Sequence, residues 1–152
     1  MRLNHAGITV KDMERSLVFY RDALGLLPVY DEMMPSGRDL DMYCRETGVI
    51  MRAVLLADEA GNMIELFDLQ SPPVRVRPSE HLKYPSTGLV EISFVVEDLE
   101  QLERDLKKHG FGFAVAPYFF EAMGVKAKLL IALDPDGVMV EFTQVLGEAA
   151  QA

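Results

Sequence analysis

The chain has 152 residues, about half of them apolar and about a quarter charged, and its formal net charge is −9 at pH 7. This composition predicts one globular domain with its own core, and the negative charge disfavours nucleic acids and anionic membranes as partners. No apolar run approaches the ~20 residues that a membrane span needs, and the single cysteine cannot close an intrachain disulfide. We therefore expect a cytoplasmic protein that does not associate with membranes.

The first half of the chain predicts a strand, a helix and three more strands. Residues 3–10 (LNHAGITV) have a strand pattern, and Asp12 after them is suited to cap a helix. The helix should bury one apolar face and end at Gly25, with that face made of Met13, Leu17, Tyr20 and Leu24. The remaining strands are predicted at residues 28–33, 49–57 and 62–69.

The second half repeats the first. HAGITVKDME (5–14) aligns with EISFVVEDLE (91–100) at an offset of 86, and AGNMIELF (60–67) aligns with DGVMVEFT (136–143) at an offset of 76. The halves therefore differ by a ten-residue loop change. The second half should contain a strand at 91–96, a helix with Leu99, Leu102 and Leu106 on one face that ends at Gly110, and strands at 112–119, 126–133 and 137–145.

This repeat predicts an α+β fold of two βαβββ modules. Module one covers residues 3–70, module two covers 88–146, and a proline-rich linker at 71–87 joins them. Because each module is too small to be a typical domain, we expect residues 1–152 to form a single domain.

Four ligand-type side chains fall on the same face of the predicted strands, because successive residues of a strand point to opposite sides. They are His5, Glu65, Glu91 and Glu141. Carboxylates in half-buried strands are costly unless they are paired or bound to a cation, so this set predicts a site for one divalent metal ion. Mn, Co, Ni, Fe, Mg or Zn are candidates, and the oxygen-rich set suits the first five better than a thiolate-type structural zinc.

Less specific interpretations of these residues stay open. A single strand histidine such as His5 is often only hydrogen-bonded. Glu91 could instead form an ion pair with an arginine such as Arg52, which would leave a three-ligand site.

The start MRLNHAGITVKDMERSLVFYRDALGL and the end DPDGVMVEFTQ resemble the vicinal oxygen chelate (VOC) family. Its members include glyoxalase I, methylmalonyl-CoA epimerase, extradiol dioxygenases, and the bleomycin- and fosfomycin-resistance proteins. The resemblance covers residues 3–68 and 88–146, and it implies an open, curved (U-shaped) mixed sheet with helices on the convex face. The family's usual metal-ligand positions fall on His5, Glu65, Glu91 and Glu141, although glyoxalase I and the epimerase have His where this chain has Glu91.

The resemblance also implies a reaction. We expect a metal-dependent isomerase, epimerase or lyase that acts on a small oxygenated substrate through a metal-stabilised enediolate. Glu141 is the first choice of catalytic base, and Glu65 or Glu91 the second. Glutathione is not expected as cosubstrate, because Thr9 and Leu69 stand where the bacterial glyoxalase I pattern has Arg and Asn.

Two other functions are implied by other members of the family. One is an Fe(II)-dependent ring-cleavage dioxygenase, but its iron is held by two His and one carboxylate, and the predicted set contains one His. The other is a metal-free small-molecule binding protein of the bleomycin-resistance type. Three inward-facing glutamates would then need another explanation.

Substrate and partner contacts can be predicted only in outline. An aromatic stripe could line a substrate pocket, or belong to the core or a dimer interface; it comprises Phe111, Phe113, Tyr118, Phe119, Phe120 and Met123. Arg38, Arg45 and Arg52 are candidates to bind a substrate carboxylate or to lie on the solvated surface. Exposed sheet edges and this stripe predict a homodimer.

Overall fold

The computed structural model describes residues 3–82, 84–85, 87–122 and 124–148. The chain divides into two compact units, Met1–Val76 and Arg77–Ala152, which we call unit 1 and unit 2. Their boundary falls inside the predicted linker 71–87, of which positions 83 and 86 lie outside the described residues. Positions 1, 2 and 149–152 of the predicted domain also lie outside them.

Unit 1 contains a four-stranded mixed sheet. Its strands lie in the order β1-β4-β3-β2, with β1 parallel to β4 and the other neighbours antiparallel. The elements are β1 (His5–Val10), α1 (Met13–Leu17, continued by a π-helical segment Val18–Ala23), β2 (Leu27–Met34), α2 (Arg38–Cys44), β3 (Ile50–Ala57) and β4 (Met63–Ser71).

Unit 2 repeats this arrangement with the strand order β5-β8-β7-β6. A short 3₁₀ turn, Ser79–Leu82, precedes it. The elements are β5 (Glu91–Val95), α3 (Leu99–Lys108), β6 (Phe113–Ala122), β7 (Val125–Leu133) and β8 (Met139–Glu148), with β5 parallel to β8. The predicted α+β class and the repeat of the modules are confirmed.

The helices begin and end where the sequence predicts. The side chain of Asp12 accepts a hydrogen bond from the backbone N–H of Arg15, and Asp98 caps α3 in the same way. Gly25 and Gly110 follow the two helical segments with φ of 77° and 83°, a conformation that side chains with a Cβ disfavour.

One position of the predicted apolar face differs in the structure. Met13, Leu17 and Tyr20 are buried as predicted, but Leu24 is only half-buried. The reason is the π-helical segment, in which the N–H of Leu24 donates to the carbonyl of Phe19, five residues earlier, over 3.1 Å. The wider turn rotates Ala23 into the core in place of Leu24.

Helix α2 was not predicted from the sequence. It has 7 residues, none of them buried, and so short a segment cannot show a sustained helical period in the sequence. It lies between β2 and β3, whereas only positions 123 and 124 separate β6 from β7. The ten-residue difference between the repeats is therefore located at α2.

An ion pair joins helix to strand at equivalent places in both units. In unit 1, Arg52 on β3 contacts Glu14 of α1 at 2.5 Å and Asp31 of β2 at 2.7 Å. In unit 2, Lys128 on β7 forms an ion pair with Glu100 of α3. These contacts identify the helix-covered face of each sheet, and strand alternation places the ligand-type residues on the other face. No helix of the described residues is both long and apolar enough to cross a membrane.

Candidate functional site

His5 on β1 and Glu65 on β4 form the centre of the unit 1 site. In the parallel pairing of these strands His5 lies beside Met63 and Gly7 lies beside Glu65, so the two ligand-type residues are diagonal neighbours. His5 Nε2 is 3.0 Å from Glu65 Oε2. Glu65 is only 6% exposed, which is unusual for a carboxylate and requires a partner.

Two residues that the sequence did not indicate complete this cluster. His5 Nδ1 donates to Asn4 Oδ1 over 2.7 Å, and the Tyr30 hydroxyl donates to Glu65 Oε1. Burial and the hydrogen bond to Glu65 raise the pKa of Tyr30 to about 12. The four side chains thus form one connected hydrogen-bonded row from Asn4 to Tyr30.

The hydrogen-bond roles in this row call for a cation between His5 and Glu65. Asn4 Oδ1 can only accept, so Nδ1 of His5 carries a proton. In a neutral imidazole Nε2 is then an acceptor, and it faces a carboxylate oxygen that is also an acceptor. A proton or a metal ion on Nε2 removes this conflict.

The donor pair fits a divalent ion. Two donors that each lie about 2.0–2.2 Å from one ion, at roughly a right angle, are themselves about 3 Å apart. His5 Nε2 and Glu65 Oε2 have this separation, and a metal-bound histidine commonly donates its other N–H to an oxygen as His5 does to Asn4. Within the described residues, however, no three His, Cys, Asp or Glu side chains are grouped so that they could hold a metal ion.

Glu141 on β8 has different neighbours. Its Oε1 accepts hydrogen bonds from Ser93 Oγ at 2.8 Å and from Thr143 Oγ1 at 3.2 Å. Its other carboxylate oxygen has no hydrogen-bond partner in the part of the chain that the structure describes. Glu141 is half-buried, so solvent and small molecules can reach it.

Glu91 on β5 holds the same place in unit 2 that His5 holds in unit 1. Glu91 lies beside Met139, as His5 lies beside Met63, and it is half-buried. Arg52, the alternative partner considered for Glu91, makes ion pairs with Glu14 and Asp31. The structure therefore brings His5 and Glu65 together, while the four-ligand set stays a prediction.

A cavity of about 510 Å³ opens beside Glu65 within unit 1. Arg38 lies on its wall, whereas Arg45 and Arg52 do not. The ring of Phe67 also lines the cavity, and it can do so because Gly7 has no Cβ: a Cβ there would lie 2.9 Å from the ring. Gly7 therefore shapes the site, a role that the sequence pattern did not indicate.

The aromatic stripe lies largely on β6 of unit 2. Phe119 is 78% exposed and Tyr118 is 39% exposed, so neither is a core residue. Phe113 is half-buried, with Lys107 Nζ at 5.4 Å from its ring centre. Met123 lies outside the described residues.

Comparison with known proteins identifies the family. A sequence model of the Glyoxalase/Bleomycin resistance protein/Dioxygenase superfamily matches residues 2–142. The chain belongs to this superfamily. The predicted resemblance is thereby confirmed at the level of the superfamily, which includes enzymes such as glyoxalase I. A search of curated proteins gave no match.

Solved structures with the same fold are similar over nearly the whole chain. A glyoxalase family protein from Bacillus cereus has a TM-score of 0.81 at 19% identity, covering 97% of this chain and 95% of that one. A glyoxalase/dioxygenase from Nostoc punctiforme has a TM-score of 0.68 at 18% identity, covering 95% and 90%. A glyoxalase I variant from Zea mays has a TM-score of 0.62 at 18% identity, covering 93% of this chain and 44% of that one. At these identities the likeness establishes the fold.

Proposed function

We propose that this chain is a metal-dependent enzyme of the glyoxalase type, an isomerase, epimerase or lyase acting on a small oxygenated substrate. The observation that carries the proposal is the 3.0 Å approach of His5 Nε2 to the buried Glu65 Oε2. Two acceptors at that distance need a shared cation, and the superfamily supplies a precedent for a divalent ion. The proposed ligands are His5, Glu65, Glu91 and Glu141.

The two repeat-related glutamates have different roles in this proposal. A bound divalent ion would polarise a substrate carbonyl and make the adjacent C–H bond more acidic. Glu141 is the proposed base, because one of its oxygens has no hydrogen-bond partner among the described residues and can take up the proton. Glu65 is the second choice, since both of its oxygens already have partners.

The place to which the proton is delivered then determines the product. If Glu141 removes the proton and a different acid delivers one to the opposite face of the same carbon, the product is an epimer. If Glu141 returns the proton to the neighbouring carbon, the product is an isomer. In a lyase the electron pair left on carbon expels a group from the adjacent carbon. The side chains described here are compatible with all three outcomes, which differ in the substrate that is bound.

Metal titration with thermal unfolding tests the proposal. Adding Mn²⁺, Co²⁺ or Ni²⁺ to chelator-treated protein should stabilise it by about 2.7 kcal/mol once the free ion reaches roughly 100 times its Kd. The variant His5→Gln should lose most of this stabilisation. His81→Gln is the matched control, because His81 lies on the 3₁₀ turn and is exposed. An unchanged melting temperature with all three ions would rule out the metal-dependent enzyme.

A metal-free binding protein is the second candidate. It is favoured by the completeness of the Glu65 cluster: with a protonated His5, both carboxylate oxygens have donors, and no metal is needed. In that case ligands should bind equally well with and without chelator. The dioxygenase has less support, because its iron is held by two His and one carboxylate, and the proposed ligand set contains one His.

We also propose that both modules form one domain, because a chain of 152 residues has the usual size of one.

We further propose that the protein is a homodimer. The support for the dimer is exposed apolar surface on the edge strand β6, where Val115 is 41% and Phe119 78% exposed. Sedimentation should give twice the mass of the chain at micromolar concentration. Phe119→Lys should shift the protein toward monomer, and a wild-type protein that already sediments as a monomer would contradict the proposal.

A further inference from the structure

The cavity beside Glu65 has mostly apolar walls. Met34 and Met51 are cross-strand neighbours on β2 and β3, and Phe67 lies on β4. Leu40 and Tyr43 of α2 also line it; Leu40 is half-buried and Tyr43 is 68% exposed. The volume of about 510 Å³ is within the range of roughly 300–1,000 Å³ that small-molecule sites usually have. Such walls stabilise apolar carbon groups and give a small hydrophilic molecule little to bind.

The polar groups of the cavity are placed unevenly. Among the described residues that line the cavity, Glu65 is the one that is both charged and buried, and its carboxylate contacts His5 and Tyr30. Arg38 and Asp39 also line the cavity, but both are exposed, so solvent and salt screen their charges. Recognition of a polar group should therefore take place beside Glu65, and the rest of the ligand should meet carbon and sulfur.

We propose that the ligand of this cavity is an amphipathic small molecule, with an oxygen-bearing head beside Glu65 and an apolar body against Met34, Met51 and Phe67. The identity of the head group rests on the proposed function; the apolar body does not. Because methionine side chains are flexible and polarisable, the cavity should accept aliphatic and aromatic bodies alike.

Helix α2 supplies part of the wall of this cavity in unit 1. Leu40 and Tyr43 lie in the segment between β2 and β3 that has no counterpart between β6 and β7 of unit 2. Without that segment the cavity would lose the two α2 side chains that line it together with Met34 and Met51. The residues that set the size of the apolar body are thus the pair Met34 and Met51 together with α2.

A homologous series of 2-hydroxy acids tests the proposal. Lactate, 2-hydroxyhexanoate and 2-hydroxyoctanoate have the same vicinal-oxygen head and differ only in the apolar body. Calorimetric titration should show affinity rising about fourfold with each methylene that enters the cavity. Mandelate, with a phenyl body, should bind more tightly than lactate. Equal affinity for lactate and 2-hydroxyoctanoate would overturn the proposal.

A matched pair of variants locates the effect in the cavity. Met34→Trp fills it and should weaken 2-hydroxyoctanoate at least tenfold while leaving lactate little changed. Met33→Trp is the control, because Met33 is the neighbouring strand residue, is 56% exposed and does not line the cavity. Where Met34→Trp lowers the melting temperature, Met34→Gln replaces it, and it should reduce the gain per methylene. Identical behaviour of the Met34 and Met33 variants would also overturn the proposal.

Repeating the series with chelator and with saturating Mn²⁺ separates this inference from the proposed function. Affinity that rises with chain length in both conditions supports the apolar cavity, whether or not the metal contributes. Affinity that depends on Mn²⁺ but not on chain length supports the metal site and refutes the cavity proposal. No binding of any acid in either condition refutes the cavity proposal as well.

Discussion

Glu65 and Glu141 occupy the same place in two copies of one module, yet they are surrounded by different chemistry. Across the sheet of unit 1, Glu65 has Gly7 on one side and Leu55 on the other, with Tyr30 beyond Leu55. Glu141 has Ser93 on one side and Ile131 on the other, with Val115 beyond Ile131. The carboxylate is common to both units, and its hydrogen-bond donors are not.

In the proposed function this difference gives the two copies of the glutamate separate roles. Glu65 is buried and has a partner for each oxygen, so it is suited to hold something in a fixed position. Glu141 is half-buried and receives both of its hydroxyl hydrogen bonds on one oxygen, so the other oxygen can exchange a proton. Under the proposed function, a binding group and a proton-transfer group would thus arise from one repeated position through changes at its neighbours.

The largest expected effect comes from Glu141→Gln. Removing the base should lower turnover about 10²–10⁴-fold, because an amide cannot take up the proton. The fold should be unaffected, since the amide oxygen can still accept from Ser93 and Thr143. Solvent-deuterium incorporation into the substrate measures the proton transfer directly. Glu65→Gln should weaken metal and substrate binding instead, and a loss of exchange in that variant alone would reverse the two roles.

Exchanging Glu91 examines the position at which the two units differ in ligand type. Glu91→Gln should weaken metal binding by at least about tenfold, since a charged oxygen donor is lost. Glu91→His gives unit 2 the residue that unit 1 has at His5, and it should retain binding with a shift toward Zn²⁺ or Ni²⁺. Titrating metal into wild type and both variants makes the comparison. Three equal affinities would remove Glu91 from the site.

A smaller effect should appear in the pH dependence of stability, through a residue that unit 2 lacks. The unfolded chain releases the Tyr30 proton near pH 10, but the folded chain keeps it to about pH 12. The contribution of Tyr30 to the free energy of unfolding should therefore be constant below about pH 10 and should fall as the pH rises from about 10 to about 12. Urea unfolding across this range measures the slope. Tyr30→Phe should flatten it, whereas Tyr84→Phe, at an exposed side chain, should not.

The smallest effect concerns the ion pairs on the helix-covered faces. Arg52 reaches Asp31 through two nitrogens and Glu14 through a third, whereas Lys128 contacts Glu100 with a single ammonium. Arg52→Lys should cost about 1 kcal/mol of unfolding free energy, because lysine cannot reproduce the forked contact. Lys128→Met should cost less. Urea unfolding at low and high salt should show the Arg52 difference shrinking as salt screens the charges.

Much of the fold could be predicted because its signals are local or repeated. Strand alternation, the caps Asp12 and Asp98, and the terminating Gly25 and Gly110 each act within a few residues, and the internal repeat supplied the second module from the first. Alternation likewise placed His5 and Glu65 on one face. Helix α2 was missed because its 7 residues are too few to show a helical period, and Leu24 was misplaced because periodicity assumes an ordinary α-helical turn.

The sequence by itself determined the α+β class, the duplication and the sheet face on which each ligand-type residue lies, because a strand's two-residue period is a property of the backbone. Only the tertiary structure decided which donors meet each carboxylate. Tyr30 and Glu65 are separated by 35 residues, and they meet because the β2-β3-β4 register sets them in one row. Register depends on the pairing of whole strands, so a hydrogen bond across the sheet leaves no pattern in the linear sequence.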